Sequence, residues 1–306
     1  MLRTKRIGWT SLFAAALACA AVAAAPETAF RRTPYVGAIA VDAQTGKVLF
    51  EQNADAVARP ASVTKLMTLL LCLEDMHALK YDPTTRVTAT VRCCQEKPSS
   101  VGLLPGQSMT VDDLLLSIMV KSANDAAVLL AEHSTARNAG RAIEPGDLQA
   151  FVQRMNGKAR ALGMEHTFYA TPNGYPPRPG SKRPFDTSTC RDLVKLARAV
   201  LRYPEVFRFT KTKICTVTDG AGRPLRMVNH NNILVKDKQK ILNERGESEV
   251  DGLKTGYIDA GGSSIVLTGA RDGKRAIVVV VGSQTSKLRD QHARALMVEA
   301  LDKIAP

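Results

Sequence analysis

Residues 264–281 read Ser-Ile-Val-Leu-Thr-Gly-Ala-Arg-Asp-Gly-Lys-Arg-Ala-Ile-Val-Val-Val-Val. Two apolar, largely β-branched runs, Ser264 to Ala270 and Ala276 to Val281, flank Asp272-Gly273, a dipeptide that suits a tight turn needing positive φ at both central positions. The stretch predicts an antiparallel hairpin. A final helix follows from about Ser286 to Ile304, with Met297, Leu301 and Ile304 on one stripe. Upstream, Ile214 to Thr218 and Arg226 to Asn229 are further β-type runs. Near the other end, Val36 to Asp42 and Lys47 to Phe50 flank Gln44-Thr45-Gly46 and read as a second hairpin. The pattern between is helical. Helices are expected over Thr64 to Leu79 beside Pro60, Leu114 to Val120 after a Thr110-to-Asp113 capping box, and Asp125 to His133. Two more run from Leu148 to Leu162, ending at Gly163, and from Arg191 to Arg202, ending before Pro204. Strands at both ends with helices between predict an α+β fold: an antiparallel β-sheet flanked by helices, with a helical second lobe. The sheet-bearing lobe should cover about 33–63 plus 205–306, and the helical lobe about 64–204. Residues 176–184 and 236–249 are polar and read as surface insertions.

The chain has 306 residues, 45% of them apolar and 23% charged, which excludes a disordered or collagen-like polymer. Its formal charge of +13 invites an anionic partner. Arg3, Lys5 and Arg6 precede an apolar run from Ile7 to Ala25 that contains Ala21-Val22-Ala23, the layout of a secretory signal peptide over 1–23. A membrane span is the competing reading, but the run is Ala-rich and barely long enough. A lipid-bearing Cys19 would want a larger aliphatic residue at position 16. Cleavage after Ala23 removes three positive charges and lowers the net charge to +10. The expected product is an exported protein of the periplasmic or cell-wall space with no stable membrane anchor. It keeps five of the six cysteines, Cys72, Cys93, Cys94, Cys190 and Cys215, an odd number whose connectivity sequence does not give. Adjacent Cys93 and Cys94 are expected to be paired elsewhere or free.

Ser62-Val63-Thr64-Lys65 is the one Ser-x-x-Lys in the chain and stands where a helix should begin. On a helix, i and i+3 share a face, so the Lys amine lies beside the Ser hydroxyl. An unprotonated amine there can take the hydroxyl proton and make a usable nucleophile. The free N–H groups of a helix start can hold a developing oxyanion. Taken alone, the tetrapeptide is equally a capped helix start with a solvated Lys. Ser122-Ala123-Asn124 breaks the helical stretch as a short turn would, and alone is an ordinary loop. Lys254-Thr255-Gly256 sits in a β-type context and alone reads as a strand end. Together and in this order, the three form the signature set of penicillin-recognising serine enzymes.

The wider stretches 60–68, 121–127 and 251–256 carry the resemblance further. The chain resembles the low-molecular-mass D-alanyl-D-alanine carboxypeptidases and endopeptidases, penicillin-binding proteins of serine peptidase family S11, from about Tyr35 to the final helix. The resemblance implies the β-lactamase/DD-peptidase-like form of the α+β fold. It implies Ser62 as the acylated nucleophile, Lys65 as its general base, kept neutral by burial and by Lys254, and Ser122 as a proton relay to the leaving amine. Asn124 would orient the substrate amide or hold Lys65. Lys254 and Thr255 would bind the terminal carboxylate, with Gly256 allowing close approach. The N–H groups of Ser62 and Tyr257 would form the oxyanion hole. No metal or organic cofactor is implied. The partners implied are peptidoglycan stem peptides, with β-lactam antibiotics as inhibitors. Two departures stand out: Asn229-His230-Asn231 has no Arg where some members place one, and Asn173 stands where some relatives carry His. The chain stops soon after its last helix, without the added β-rich domain and amphipathic helix of membrane-attached members. That reads as the short soluble form and raises the endopeptidase option beside the carboxypeptidase one.

A class A β-lactamase shares all three motifs but needs a Glu-x-x-Leu-Asn loop, and no Glu here starts one. A catalytically idle wall-binding protein would not need all four polar groups. Nucleic acid binding would call for basic surfaces studded with aromatics. With eight Phe and six Tyr, mostly in apolar runs, and with Lys236 to Lys240 answered by Glu244, Glu247, Glu249 and Asp251, no nucleic acid partner is expected.

Overall fold

The computed structural model describes residues 34–219, 221–236, 241 and 249–304. The predicted signal segment, Cys19 and most of 236–249 lie outside the described residues. Strands β1 (Gly37–Asp42) and β2 (Val48–Gln52) open the fold. A 3-10 turn, Ala61–Thr64, runs directly into α1 (Lys65–His77). Short strands β3 (Arg86–Thr88) and β4 (Ser108–Thr110) pair around a second 3-10 turn, Cys93–Gln95. Five helices follow: α2 (Val111–Val120), α3 (Asn124–Asn138), α4 (Asp147–Ala161), α5 (Cys190–Val200) and α6 (Val206–Thr210). Then come β5 (Ile214–Thr218), β6 (Pro224–Val228), α7 (Asn232–Val235), β7 (Val250–Ile258), β8 (Gly262–Arg271), β9 (Lys274–Ser283) and α8 (Ser286–Ile304).

The main sheet has the order β2-β1-β9-β8-β7 and is antiparallel throughout. Asp272 and Gly273 have φ of 50° and 75°, the positive pair that a two-residue turn between β8 and β9 requires. Period-two alternation then divides the side chains between two apolar layers. On β9, Ile277, Val279 and Val281 join the layer shared with the helices, and Ala276, Val278 and Val280 join the layer under α8. On β1, Ile39 and Val41 face the first and Ala38 and Ala40 the second. Because both faces are covered, β9 is an unbroken apolar run rather than an alternating one. Each buried Val or Ile contributes about 1.5–3 kcal/mol. The stripe Met297, Leu301 and Ile304 of α8 closes the second layer.

Several expectations need correction. Ile214 to Thr218 and the run after Pro224 form their own two-stranded hairpin, apart from the main sheet. Lys254-Thr255-Gly256 lies inside the nine-residue β7, not at a strand end, since pairing with β8 extends it in both directions. The β3–β4 ribbon was not expected within the helical stretch. Ser62 sits in a 3-10 turn rather than in the first turn of an α-helix, and α2 starts at Val111 with Thr110 accepting the Asp113 N–H. The five described cysteines are all free thiols.

Candidate active site

Ser62 is held in its 3-10 turn by two glycines on different elements. A Cβ on Gly256 of β7 would stand 2.4 Å from the Pro60 carbonyl and 3.1 Å from the Ser62 nitrogen. A Cβ on Gly174 would stand 1.9 Å from the Ala61 carbonyl, and its φ of 76° already excludes most side chains. Their bare backbones let strand and loop clamp the turn from two sides. Ala61 takes a φ of 52° between them. This approach brings the Ser62 N–H next to the main chain just before Tyr257, the two N–H groups expected to face an oxyanion.

Lys65, the first residue of α1, is fully buried. Its Nζ lies 2.9 Å from Ser62 Oγ, 2.7 Å from Asn124 Oδ1 and 2.6 Å from the Asn173 carbonyl. Each acceptor is anchored in turn. Asn124 donates its side-chain amide to the Pro98 carbonyl at 2.7 Å and its main-chain N–H to Ser99 O at 2.6 Å. The neighbouring Asp125 accepts N–H groups from Val101, Gly102 and Leu103, tying that loop to the start of α3. The Asn173 loop is fixed from α1: Thr68 donates to the Pro172 carbonyl at 2.6 Å, and buried Asp186 accepts from both Thr64 and Thr171. Burial, reinforced by the charge of Lys254, drives the Lys65 amine well below its usual range. A neutral amine has two hydrogens, which Asn124 Oδ1 and the Asn173 carbonyl can take. Its lone pair is then left for the Ser62 hydroxyl proton, the arrangement a general base needs.

The second lysine stands across the cleft. Lys254 Nζ is 3.0 Å from Ser122 Oγ and 3.1 Å from the Thr255 carbonyl. Burial, then the charge of Arg289, pushes it down to about 7. Ser122 and Thr255 are both nearly buried, whereas Tyr257 is exposed. Thus two hydrogen-bonded groups, Ser62–Lys65–Asn124 and Ser122–Lys254, are brought together by the Ser122-Ala123-Asn124 turn, with Thr255 and Gly256 beside Lys254 on β7. His230, in the segment before α7, is pushed down to about 4 by desolvation and then by the charges of Lys254 and Lys121.

Two residues were missed by the motif reading. The Asn173 carbonyl is a direct partner of Lys65, yet carbonyls have no sequence signature. Arg289 is only 3% exposed and reaches toward the Ser264 carbonyl of β8, opposite Gly256, while pairing with Asp290. Its signal was available. Arg289 stands four and eight residues before Ala293 and Met297, on the apolar stripe of α8, where a charge has no packing reason to be.

A doubly covered antiparallel sheet whose edge strand faces a Ser-x-x-Lys turn defines the class of penicillin-recognising serine enzymes. The family model for D-alanyl-D-alanine carboxypeptidase, peptidase S11, matches residues 28–285, and the chain belongs to that family. It is 28% identical over 260 residues to the D-alanyl-D-alanine carboxypeptidase DacF of Bacillus subtilis, covering 85% of this chain and 60% of the relative. It is 28% identical over 251 residues to the D-alanyl-D-alanine endopeptidase of Escherichia coli, covering 80% and 70%. The fold matches penicillin-binding protein D2 from Listeria monocytogenes in its ampicillin-bound form with a TM-score of 0.69 and 28% identity, over 86% of this chain and 96% of that one. The chain therefore spans about three fifths of the length of the Bacillus carboxypeptidase.

Proposed function

We propose that the protein is a penicillin-sensitive serine DD-peptidase that hydrolyses the D-Ala-D-Ala bond of peptidoglycan stem peptides through a Ser62 acyl-enzyme. The carrying observation is the environment of Lys65: a buried amine with two carbonyl partners and the Ser62 hydroxyl as its third. Ser62 Oγ adds to the carbonyl carbon of the penultimate D-Ala as its proton passes to Lys65 Nζ. The main-chain N–H groups of Ser62 and Tyr257 hold the oxyanion. The C–N bond then breaks, and the departing D-Ala nitrogen takes the proton that Lys65 had accepted, relayed through Ser122, which leaves Lys65 neutral again. Water then adds to the ester carbonyl as its proton passes to Lys65, and when the C–O bond breaks Lys65 returns that proton to Ser62 Oγ. Lys254, Thr255 and the buried positive charge of Arg289 receive the terminal carboxylate of the substrate. Every step is carried by side chains and main chain of this polypeptide.

The resemblance to an ampicillin-binding protein supports β-lactams as inhibitors that acylate the same serine. Family membership and the Arg3-to-Ala23 segment support export to the cell-wall space. The Escherichia coli endopeptidase relative supports a second reading, cleavage of cross-links between stem peptides by the same centre.

Intact mass after benzylpenicillin treatment tests the nucleophile. One adduct is expected on the wild-type chain and none on Ser62→Ala; equal labelling of both would sink the assignment. Purified muropeptides then separate the two readings, since a carboxypeptidase releases free D-Ala and an endopeptidase converts cross-linked dimers to monomers.

A further inference from the structure

Behind the loop that holds Lys65 lies a cavity of about 680 Å3 that the mechanism above does not use. Val128, Leu148 and Val152 of α3 and α4 contribute apolar wall, and the polar segment Arg178 to Arg183 contributes another side. Its charged lining is Arg92, Lys97, Arg178 and Arg183 against a single acid, Glu96. Glu96 is already engaged, pairing with Arg92 through one oxygen and accepting the Asn173 side-chain amide through the other at 3.1 Å. Lys97 has a neutral oxygen, Ser100 Oγ, at 3.4 Å. Arg183 donates Nη2 to the Tyr175 carbonyl at 3.0 Å, whereas its Nη1 is buried with no acceptor among the described residues. Asp186, the nearby acid, has its oxygens taken by Thr64, Thr171 and the Ala170 N–H. A buried donor of this kind is costly to leave unmet, and a guanidinium is shaped for a carboxylate.

Placement ties the cavity to the reaction. Gly174 abuts Ala61 and the Ser62 nitrogen, and the next residue, Tyr175, lines the cavity. Asn173 belongs to both, its carbonyl on Lys65 and its side chain on Glu96. The 173–175 segment therefore lies between the two, touching the Ser62 turn through Gly174 and lining the cavity through Tyr175. We propose that this cavity binds a carboxylate on the acyl-donor side of the stem peptide, upstream of the D-Ala-D-Ala bond, so that the protein selects anionic over neutral donors. The proposal rests on the DD-peptidase reading above, and on the apolar wall to carry the aliphatic part of the donor.

Two peptides ending in D-Ala-D-Ala and differing only in one upstream carboxylate or carboxamide test it. Their equilibrium binding to Ser62→Ala is measured by calorimetry, and free D-Ala release by the wild-type chain is measured in parallel. The carboxylate form should bind at least about tenfold more tightly and carry the same advantage in KM, with 0.5 M salt reducing it. Adding Arg178→Gln, or Arg183→Gln, should shrink the advantage to about twofold or less. Arg178 is the cleaner probe, because it is exposed and Arg183 also supports the Tyr175 carbonyl. Equal affinity for the two peptides overturns the proposal, as does an advantage that both variants retain. Glutarate binding as tightly as the anionic peptide would also overturn it, by giving the cavity to a free anion. A penicillin adduct without carboxylate preference removes only this inference. Carboxylate preference without any adduct removes the peptidase reading instead.

Discussion

At Lys65 the controlling quantity is the number of hydrogens on nitrogen. An ammonium satisfies all three surrounding oxygens and has no lone pair for the Ser62 proton. The amine satisfies two and keeps its lone pair free. Lys254 works in the opposite sense, because it attracts a carboxylate only while charged, and its pKa is pushed down to about 7. Lys65 must therefore be deprotonated and Lys254 protonated in the active form. For a substrate ending in a carboxylate, kcat/KM should rise with pH as Lys65 loses its proton and fall through about pH 7 as Lys254 loses its own. A pH series of D-Ala release checks this, and a profile still climbing above pH 8 would contradict it. Lys254→Gln should remove the alkaline limb, while Lys65→Gln should slow penicillin acylation by at least about 10²–10⁴-fold. His230, held neutral down to about 4, adds no limb between pH 5 and 8. His230→Gln should accordingly leave the shape of the profile unchanged; a displaced limb would show that the imidazole takes part. The four charged or hydroxyl groups of this centre were legible because each lies in a short motif. The Asn173 carbonyl was not, since it is main chain, whereas Arg289 lies outside every motif and shows only as a charge on the apolar stripe of α8.

At the scale of elements, the centre depends on three segments meeting at the turn around Ser62. Gly174 and Gly256 are where they touch. Gly174→Ala would combine a 1.9 Å contact against the Ala61 carbonyl with a φ of 76°, so the loop must withdraw and take the Asn173 carbonyl with it. Penicillin acylation should fall by at least about 10²-fold, the order expected when a general base is misaligned. Gly180→Ala is the matched control: φ is 77°, but a Cβ there meets nothing within 4 Å. It should cost about 1–3 kcal/mol of stability from backbone strain alone, read as a modest loss in Tm. Acylation rates that fall alike in both would mean that strain, not contact, governs the loop. The same contrast between local and distant causes decided what the sequence revealed. The β8–β9 turn and the Thr110 cap were legible because Asp272-Gly273 and Thr110-to-Asp113 fix them locally. Around Lys254-Thr255-Gly256 the sequence shows only a β-type context without bounds, because Gly252 and Gly256 interrupt the apolar run, and pairing with β8 across Val250 to Ile258 is what sets the length of β7. The β5 and β6 runs looked like sheet members, yet nothing local says that a strand will pair outside the main sheet.

Across the whole molecule, α8 performs two separable tasks. Its C-terminal half seals the outer apolar layer with Met297, Leu301 and Ile304, and its first turns carry Arg289 under β8. The packing half was legible as a stripe. The electrostatic half required the sheet order that places β8 between β9 and β7, a pairing of segments that no short motif specifies. Leu301→Ala should open a cavity and cost about 2–5 kcal/mol, seen as a lower Tm, while the surviving folded protein keeps the wild-type pH profile. Arg289→Gln should do the reverse to the profile. Arg289 is the positive neighbour that, after burial, lowers Lys254. Removing it relieves like-charge repulsion, so Lys254 keeps its proton to higher pH and the alkaline limb moves upward. The substrate carboxylate loses a nearby positive charge at the same time, so KM should rise at pH 6, where Lys254 is charged in both proteins. A pH series on the two variants separates the tasks: a limb that moves in Leu301→Ala, or stays in Arg289→Gln, would break the assignment of field to the first turns of α8 and packing to the last.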